Sequence, residues 1–278
     1  MNKSSLQIAE VKTDSVWQWK KLTWSLSWLK AIVIPAVLII AWGIASALGW
    51  IDAKLIPAPW LVVDKAIVTL QQNSFWISVF ESSYRLSVGF GLGALLGLAF
   101  GIVLASSKLS QWVFAPSFHA IRQVSLFAWL PLISTFLGYG DSAKILFIAL
   151  SVFYPVALNT FEGISGISNH YREVAAVYQF SPLYRLKKLI LPAASSSIFV
   201  GLQLGLMFAW LATVGSEFLL ANYGNGLGNL VIRGREQFDV ALIIFGMLLI
   251  GGIGLILSSL LQRIERRILK WQYLQGGR

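Results

Sequence analysis

Six stretches of this 278-residue chain carry no charged side chain, and each has roughly the length a helix needs to cross the hydrocarbon of a bilayer. A helix rises only about 1.5 Å per residue, so crossing about 30 Å of hydrocarbon takes roughly 20 apolar residues. Ala31–Trp50, Leu86–Ser107, Leu189–Ser216 and Val240–Gln262 meet that length. Gln123–Gly140 and Ile145–Phe161 are slightly shorter, and the break Gly138-Tyr139-Gly140-Asp141 between them reads as a turn joining antiparallel spans. Leu109–Ile121, between Lys108 and Arg122, is too short to cross and reads as the end of a loop feeding the third span. The expected fold is therefore all-α and integral to the membrane, a bundle of six transmembrane helices over about 31–50, 86–107, 123–140, 145–161, 193–216 and 240–262. Composition agrees, with 56% hydrophobic and 12% charged residues where a soluble domain has about 25% charged.

Six spans put both termini on one side, and the distribution of Lys and Arg says which. One side comprises the N-terminal arm, the loop around Lys108 and Arg122, the stretch Glu162–Lys188 and the tail from Arg263. It holds 16 of the 22 Lys and Arg together with five acids, a net +11. The opposite side holds six cations, Arg85 and Lys144 among them, and seven acids, a net −1. Both termini are expected in the cytoplasm, and the overall charge of +10 is an orientation signal with no nucleic-acid partner implied. A cleaved signal peptide ending near Ala45-Ser46-Ala47 is the rival reading of the first span. The apolar run continues past that site to Trp50, however, and removing it would leave five spans with termini on opposite faces. Residues 1–30, where Trp and Leu mix with Lys20, Lys21 and Lys30, read as an amphipathic arm on the lipid surface, and 263–278 as a basic cytoplasmic tail.

The spans read as packing surfaces more than as chemistry. Gly89, Gly93, Gly97 and Gly101 place a glycine on every fourth residue of one helical face, and Gly201 and Gly205 repeat the spacing in the fifth span. Such faces let helix backbones approach closely where lipid supplies no hydrophobic drive. Glu217, at the outer end of the fifth span, is either an interfacial acid or part of a gate. With no Cys, thiolate metal sites, disulfides and Cys nucleophiles are excluded. His119 and His170 stand alone, and no phosphate-binding Gly-Lys-Ser/Thr loop, paired-carboxylate site or nucleophile elbow is present. Any energy source has to be a partner.

Glu162–Lys188 breaks the apolar pattern. Ser168 or Asn169 caps a first short helix, with Glu173 near the positive end of its dipole; Ser181-Pro182 stops it and starts a second helix. A helix–turn–helix held between two spans is a lever that can carry force from a cytoplasmic partner. Glu173-Val174-Ala175, three residues, Gln179, nine residues, Leu189, one residue, Leu191-Pro192 resembles the Glu-Ala-Ala loop of binding-protein-dependent ABC importer permeases. Val174 replaces the family's Ala and Leu189 its Ile. Gln179 replaces a Gly, which would ease a tight turn between the two helices.

The resemblance extends over most of the chain from about Leu55 to Leu274. It includes Ile56-Pro57-Ala58-Pro59, Arg122-Gln123-Val124, Ala128-Trp129-Leu130-Pro131-Leu132, Phe136–Ile145 and Phe153-Tyr154-Pro155. These look like the sulfonate/taurine/nitrate branch, and most like aliphatic sulfonate permeases. The resemblance implies a permease subunit with no catalysis or cofactor of its own. ATP and Mg would bind two copies of a cytoplasmic ATPase, beside a second permease copy and a periplasmic or surface-anchored solute-binding protein. It also implies that Ser168, Glu173, Val174, Ala175, Gln179, Ser181, Pro182, Leu191 and Pro192 form the ATPase-coupling region. Arg122, Phe127, Trp129, Phe208, Trp210 and Glu217 are candidates to line a path for a small organic anion, which calls for sparse positive charge and apolar walls. Nitrate, taurine or a pyrimidine precursor is the alternative cargo. A membrane enzyme acting on lipid is the remote alternative, its only available cluster being Glu217 with Arg233, Arg235, Glu236 and Asp239.

Overall fold

A computed structural model describes residues 33–270 except 51, 53, 54 and 221–224. The arm over 1–30 and the end of the tail, 271–278, lie outside the described residues. The chain divides into two compact units, Met1–Val63 and Asp64–Arg278. The first contains the apolar helix α1 (Val33–Ala47) and the start of α2 (Pro59–Leu70).

The second unit is built on helices throughout the described residues. They are α3 (Asn73–Ser106), α4 (Lys108–Arg122), α5 (Leu126–Leu137), α6 (Asp141–Ser165), α7 (Asn169–Val177), α8 (Pro182–Arg185), α9 (Leu191–Leu219), α10 (Leu227–Glu236) and α11 (Val240–Ile268). Four helical stretches among the described residues are long and apolar enough to cross a bilayer, and a fifth is added if α4 and α5, bent at 95°, count as one broken span. α1, with 15 described residues, is shorter than a full crossing.

Two boundaries differ from the charge-based reading. α3 starts at Asn73, well before Leu86, and its 34 residues measure about 51 Å, longer than the hydrocarbon is thick. Glu81 and Arg85 therefore lie within continuous helix and not in a loop before it. The stretch Leu109–Ile121, expected as a loop, is α4: Ser107 accepts the backbone N–H of Ser110 at 3.0 Å and caps it.

α6 is the central helix, packed on α3 along one side and α9 along the other. Gly89, Gly93, Gly97 and Gly101 of α3 lie against it. A Cβ on Gly93 would collide with the Ala149 carbonyl, one on Gly97 would stand 2.9 Å from the Phe153 carbonyl, and one on Gly101 2.6 Å from that of Ala157. Ile148, Val152 and Val156, all fully buried, fill the grooves these glycines leave. On the other side Gly201 faces Asn159 and Gly205 faces Val152 and Val156. The contact is thus backbone against side chain, the form helix association takes in lipid.

Pro192 gives α9 a local irregularity. It has no N–H for the carbonyl four residues back, and its ring crowds that carbonyl. The preceding turn, Leu186–Ile190, is wound as π-helix, with the Leu191 N–H bonded to the Leu186 carbonyl.

Candidate functional site

Three sites stand out, one at each end of the α3–α6–α9 core and one along its flank. The α6–α9 connection is the first. Ser168 Oγ accepts the N–H of His170 at 3.4 Å, opening α7. α7 closes with a Schellman turn: the Phe180 N–H reaches the Ala175 carbonyl at 3.1 Å, and Gln179 takes φ +50°. That is the left-handed conformation glycine adopts without cost, so Gln179 makes the turn in the backbone state a glycine would use. Phe180 then stacks on Tyr178 and meets Tyr184 edge-on, and Ser181 caps α8 by accepting the Tyr184 N–H at 3.4 Å. Ala175 is buried under the turn, whereas Glu173 and Val174 are exposed. With Tyr171, Val177 and Tyr178, Val174 forms an outward apolar surface on a short amphipathic helix. Leu191 and Pro192 are partly buried at the root of α9.

The second site is a cleft of about 360 Å³ between α5, α6 and α9, lined by apolar side chains with Arg122, Ser151, Tyr154 and Asn159 among them. It brings together three of the residues expected along a path, Arg122, Trp129 and Phe208. The other three lie elsewhere. Phe127 packs on Phe147 and across Gly215, Trp210 donates its indole N–H to the Ile250 carbonyl of α11 at 3.1 Å, and Glu217 belongs to the third site. Arg122 makes no ion pair among the described residues, so its charge is available to the cleft. Tyr154, Ser151 and Asn159 were not foreseen there; their signal was the helical spacing that puts 151, 154–155 and 158–159 on one face of α6.

The third site is an ionic clamp at the end where α3 and α6 begin and α9 ends. Arg85, expected among loop charges, is 1% exposed. Its Nε donates to Asp141 Oδ1 at 2.7 Å, one Nη to Glu217 Oε1 at 2.8 Å and to the Asn225 carbonyl at 2.6 Å, and the other Nη to Glu81 Oε2 at 2.6 Å. Glu217, fully buried, also accepts from Ser82 Oγ at 2.7 Å and from the Gly228 N–H at 2.9 Å. Ser82 in turn accepts the Leu227 N–H at 2.9 Å. A Cβ on Gly226 would collide with the Glu217 carboxylate, so glycine is what lets the chain pass this close. Lys144, the second cation counted as a loop charge, is also fully buried and lies in the field of Arg85, Glu217, Asp141 and Glu81.

The cluster sketched for a lipid enzyme does not form. Glu217 is committed to Arg85, while Asp239 pairs with Lys65 and caps α11 by accepting the Leu242 N–H at 3.0 Å. The Lys65 ammonium and that N–H hold the Asp239 carboxyl below its ordinary range, against the opposing effect of burial. No group of three or more His, Cys, Asp or Glu is arranged to hold a metal among the described residues.

A bundle of long apolar helices packed through glycine faces is the architecture of an integral membrane protein. Residues 93–270 match the family described as binding-protein-dependent transport system inner membrane component. The chain belongs to that family and is a permease subunit of an ABC importer. It is 34% identical over 250 residues, 90% of each chain, to a protein of Bacillus subtilis (strain 168) named for aliphatic sulfonates transport, permease protein SsuC. It is 30% identical to the protein of the same name in Escherichia coli (strain K12), over 86% of this chain and 90% of that one. A nitrate import permease protein, NrtB, of Synechocystis sp. is 29% identical over 85% of this chain and 88% of the relative. Among solved structures, an inward facing MetNI methionine ABC transporter matches with a TM-score of 0.58 at 18% identity, covering 77% of this chain and 98% of that one. This last likeness concerns the fold alone.

Proposed function

We propose that the chain is the membrane subunit of an ATP-driven importer of small organic anions, with aliphatic sulfonates as cargo. The observation that carries the reading is α7: an exposed apolar surface of Tyr171, Val174, Val177 and Tyr178 beside Glu173, on a helix held between two spans by a Schellman turn. A surface of that kind suits a groove on a cytoplasmic ATPase. Two ATPase copies, carrying the ATP and Mg, act on two permease copies, and a solute-binding protein delivers cargo on the outer side. In this reading α1, α3, α4–α5, α6, α9 and α11 are six spans, and both termini are cytoplasmic in the inner membrane, as the charge asymmetry favours. ATP-driven closure of the ATPases displaces α7. Switching the bundle fully between two states takes about 5.5 kcal/mol of differential binding.

The cargo assignment draws on the relatives and on the cleft. Uncompensated Arg122 supplies one positive charge, Tyr154 and Asn159 supply polar groups, and Trp129 and Phe208 supply apolar wall. A sulfonate with an alkyl tail uses both kinds of surface, since each buried methylene is worth about 0.8 kcal/mol. Nitrate or bicarbonate, the cargo named for other relatives, would use only the charge.

Co-purification tests the reading. The permease expressed with its ATPase should retain it through detergent extraction, and Glu173→Lys should weaken that retention while leaving the thermal unfolding of the permease unchanged. Full ATPase retention and normal uptake in the variant would overturn the role given to α7.

A further inference from the structure

A second, smaller cavity sits at the root of the lever. It measures about 240 Å³ and lies between the end of α3 (Ile102, Ala105), the end of α6 (Ile164) and the α8–π segment (Leu186, Leu189). Its wall is mostly aliphatic, with Ser106 a polar member and Arg185 its one charged lining residue. Arg185 is exposed and makes no ion pair among the described residues, and Lys187 and Lys188 follow it, both exposed. Arg185 therefore stands at an apolar pocket where α3 and α6 end and α9 begins, with two further cations next to it along the chain.

We propose that this pocket seats an anionic phospholipid of the surrounding bilayer, acyl chain against Ile102, Ile164 and Leu189 and phosphate on Arg185. The chemistry of the wall and the mouth matches both halves of such a molecule. Basic pockets between membrane helices take anionic headgroups, and each basic side chain near an anionic surface contributes about 1 kcal/mol. An alkyl tail would fill a void that otherwise leaves aliphatic side chains without packing partners. Because Leu186 and Leu189 belong to the π turn that links α8 to α9, the bound lipid braces the lever against α3 and α6. The proposal requires only that the bundle is embedded in lipid; it stands or falls independently of the ATPase and of the cargo.

The test is native mass spectrometry of the full-length permease released from nanodiscs of one part phosphatidylglycerol to three parts phosphatidylcholine. Wild type should retain phosphatidylglycerol preferentially. Arg185→Gln should cut that preference about fivefold, the factor equivalent to about 1 kcal/mol, and Ala105→Trp, which fills the cavity, should remove the retained lipid of either kind. The chain has no cysteine, so Ala105→Cys gives a single reporter in a conservative variant. Its alkylation should slow severalfold when phosphatidylglycerol replaces phosphatidylcholine. Unchanged lipid preference in Arg185→Gln, or equal alkylation in the two lipids, overturns the proposal.

Discussion

Arg85 and Glu217, 132 residues apart in sequence, meet at 2.8 Å with side chains 1% and 0% exposed. The two are unequal partners. Arg85 pairs with three carboxylates, whereas Glu217 is one of three acids around a single guanidinium. Removing the cation therefore leaves three acids in a confined space, and removing one acid leaves a cation still paired twice. Arg85→Ala should cost about 3–5 kcal/mol, the range for orphaned buried charge. Glu217→Gln should cost less, and Asp141→Asn, whose side chain is 53% exposed, about 1 kcal/mol or below. Thermal unfolding in detergent should rank the three in that order; an Arg85→Ala protein as stable as Asp141→Asn would contradict the clamp.

The glycine stripe gives a sharper contrast. Gly93 and Gly91 are neighbours on one helix, but a Cβ on Gly93 collides with the Ala149 carbonyl while one on Gly91 meets nothing within 4 Å. Gly93→Ala forces α3 and α6 apart and should lose about 1–3 kcal/mol to overpacking. Gly91→Ala should be neutral or gain about 0.5–1 kcal/mol, because alanine loses less backbone freedom in a helix. Yield and unfolding midpoint of the two variants, purified in parallel, decide it.

Gln179 makes a turn in a backbone state that suits glycine. Left-handed φ costs a residue with a Cβ about 1–2 kcal/mol. Gln179→Gly should therefore stabilise the α7–α8 turn by up to about 1 kcal/mol, part of the gain being lost to the greater freedom of glycine in the unfolded chain. Gln179→Val should do the reverse, since a β-branched side chain tolerates positive φ least. Limited proteolysis between Tyr178 and Leu183 reports the turn directly: cleavage should slow for Gly and quicken for Val. Equal rates in all three proteins would mean the turn is not strained.

Asp239 ties acid stability to one carboxylate. Its pKa is depressed in the folded state, so it stabilises the fold above the ordinary carboxyl pKa near about 4, and that contribution fades as pH falls through the depressed value. Asp239→Asn should lower stability at pH 7 and flatten the decline between about pH 5 and 3. Unfolding midpoints for wild type and variant, measured across that interval, should converge at the acid end. Parallel curves would show that the Lys65 pair contributes nothing.

The long apolar helices α3, α6, α9 and α11 and the helix–turn–helix between α6 and α9 were legible because each rests on local signals: charge-free length, and Ser and Pro at helix starts. The clamp was not. Arg85 and Lys144 are charged, and a charge in a hydropathy reading marks the end of a span. What keeps both inside helices is the long-range meeting of Glu81, Asp141 and Glu217, from three helices, which no window along the chain contains. α4 was missed for a related reason. Length alone separates spans from loops, and a 15-residue helix joined to α5 at 95° fails that test although it is continuous helix. The path candidates were split because aromatic residues in spans look alike in sequence. Only packing distinguishes Trp129 on the cleft from Trp210 bonded to α11.

Arg122 provides the last and most direct test of cargo. It is the cation in the cleft without a carboxylate partner among the described residues, and its neighbours Trp129, Tyr154 and Phe208 are amphipathic or apolar. If an alkanesulfonate passes here, Arg122 attracts the headgroup and the aromatic walls contact the tail. Two classes of variant should then separate. Arg122→Gln should reduce uptake of every sulfonate by a similar factor, about 10-fold or more if a charge-assisted hydrogen bond worth about 1.5–3 kcal/mol is lost. Phe208→Ala should leave the shortest sulfonate nearly untouched and penalise longer tails increasingly, by up to about 0.8 kcal/mol for each methylene that loses its contact. Uptake of a series of alkanesulfonates by the assembled transporter in proteoliposomes, with delivery by the binding protein held saturating, measures both slopes. A flat response to chain length in Phe208→Ala, together with unaltered uptake in Arg122→Gln, would remove the cleft from the path.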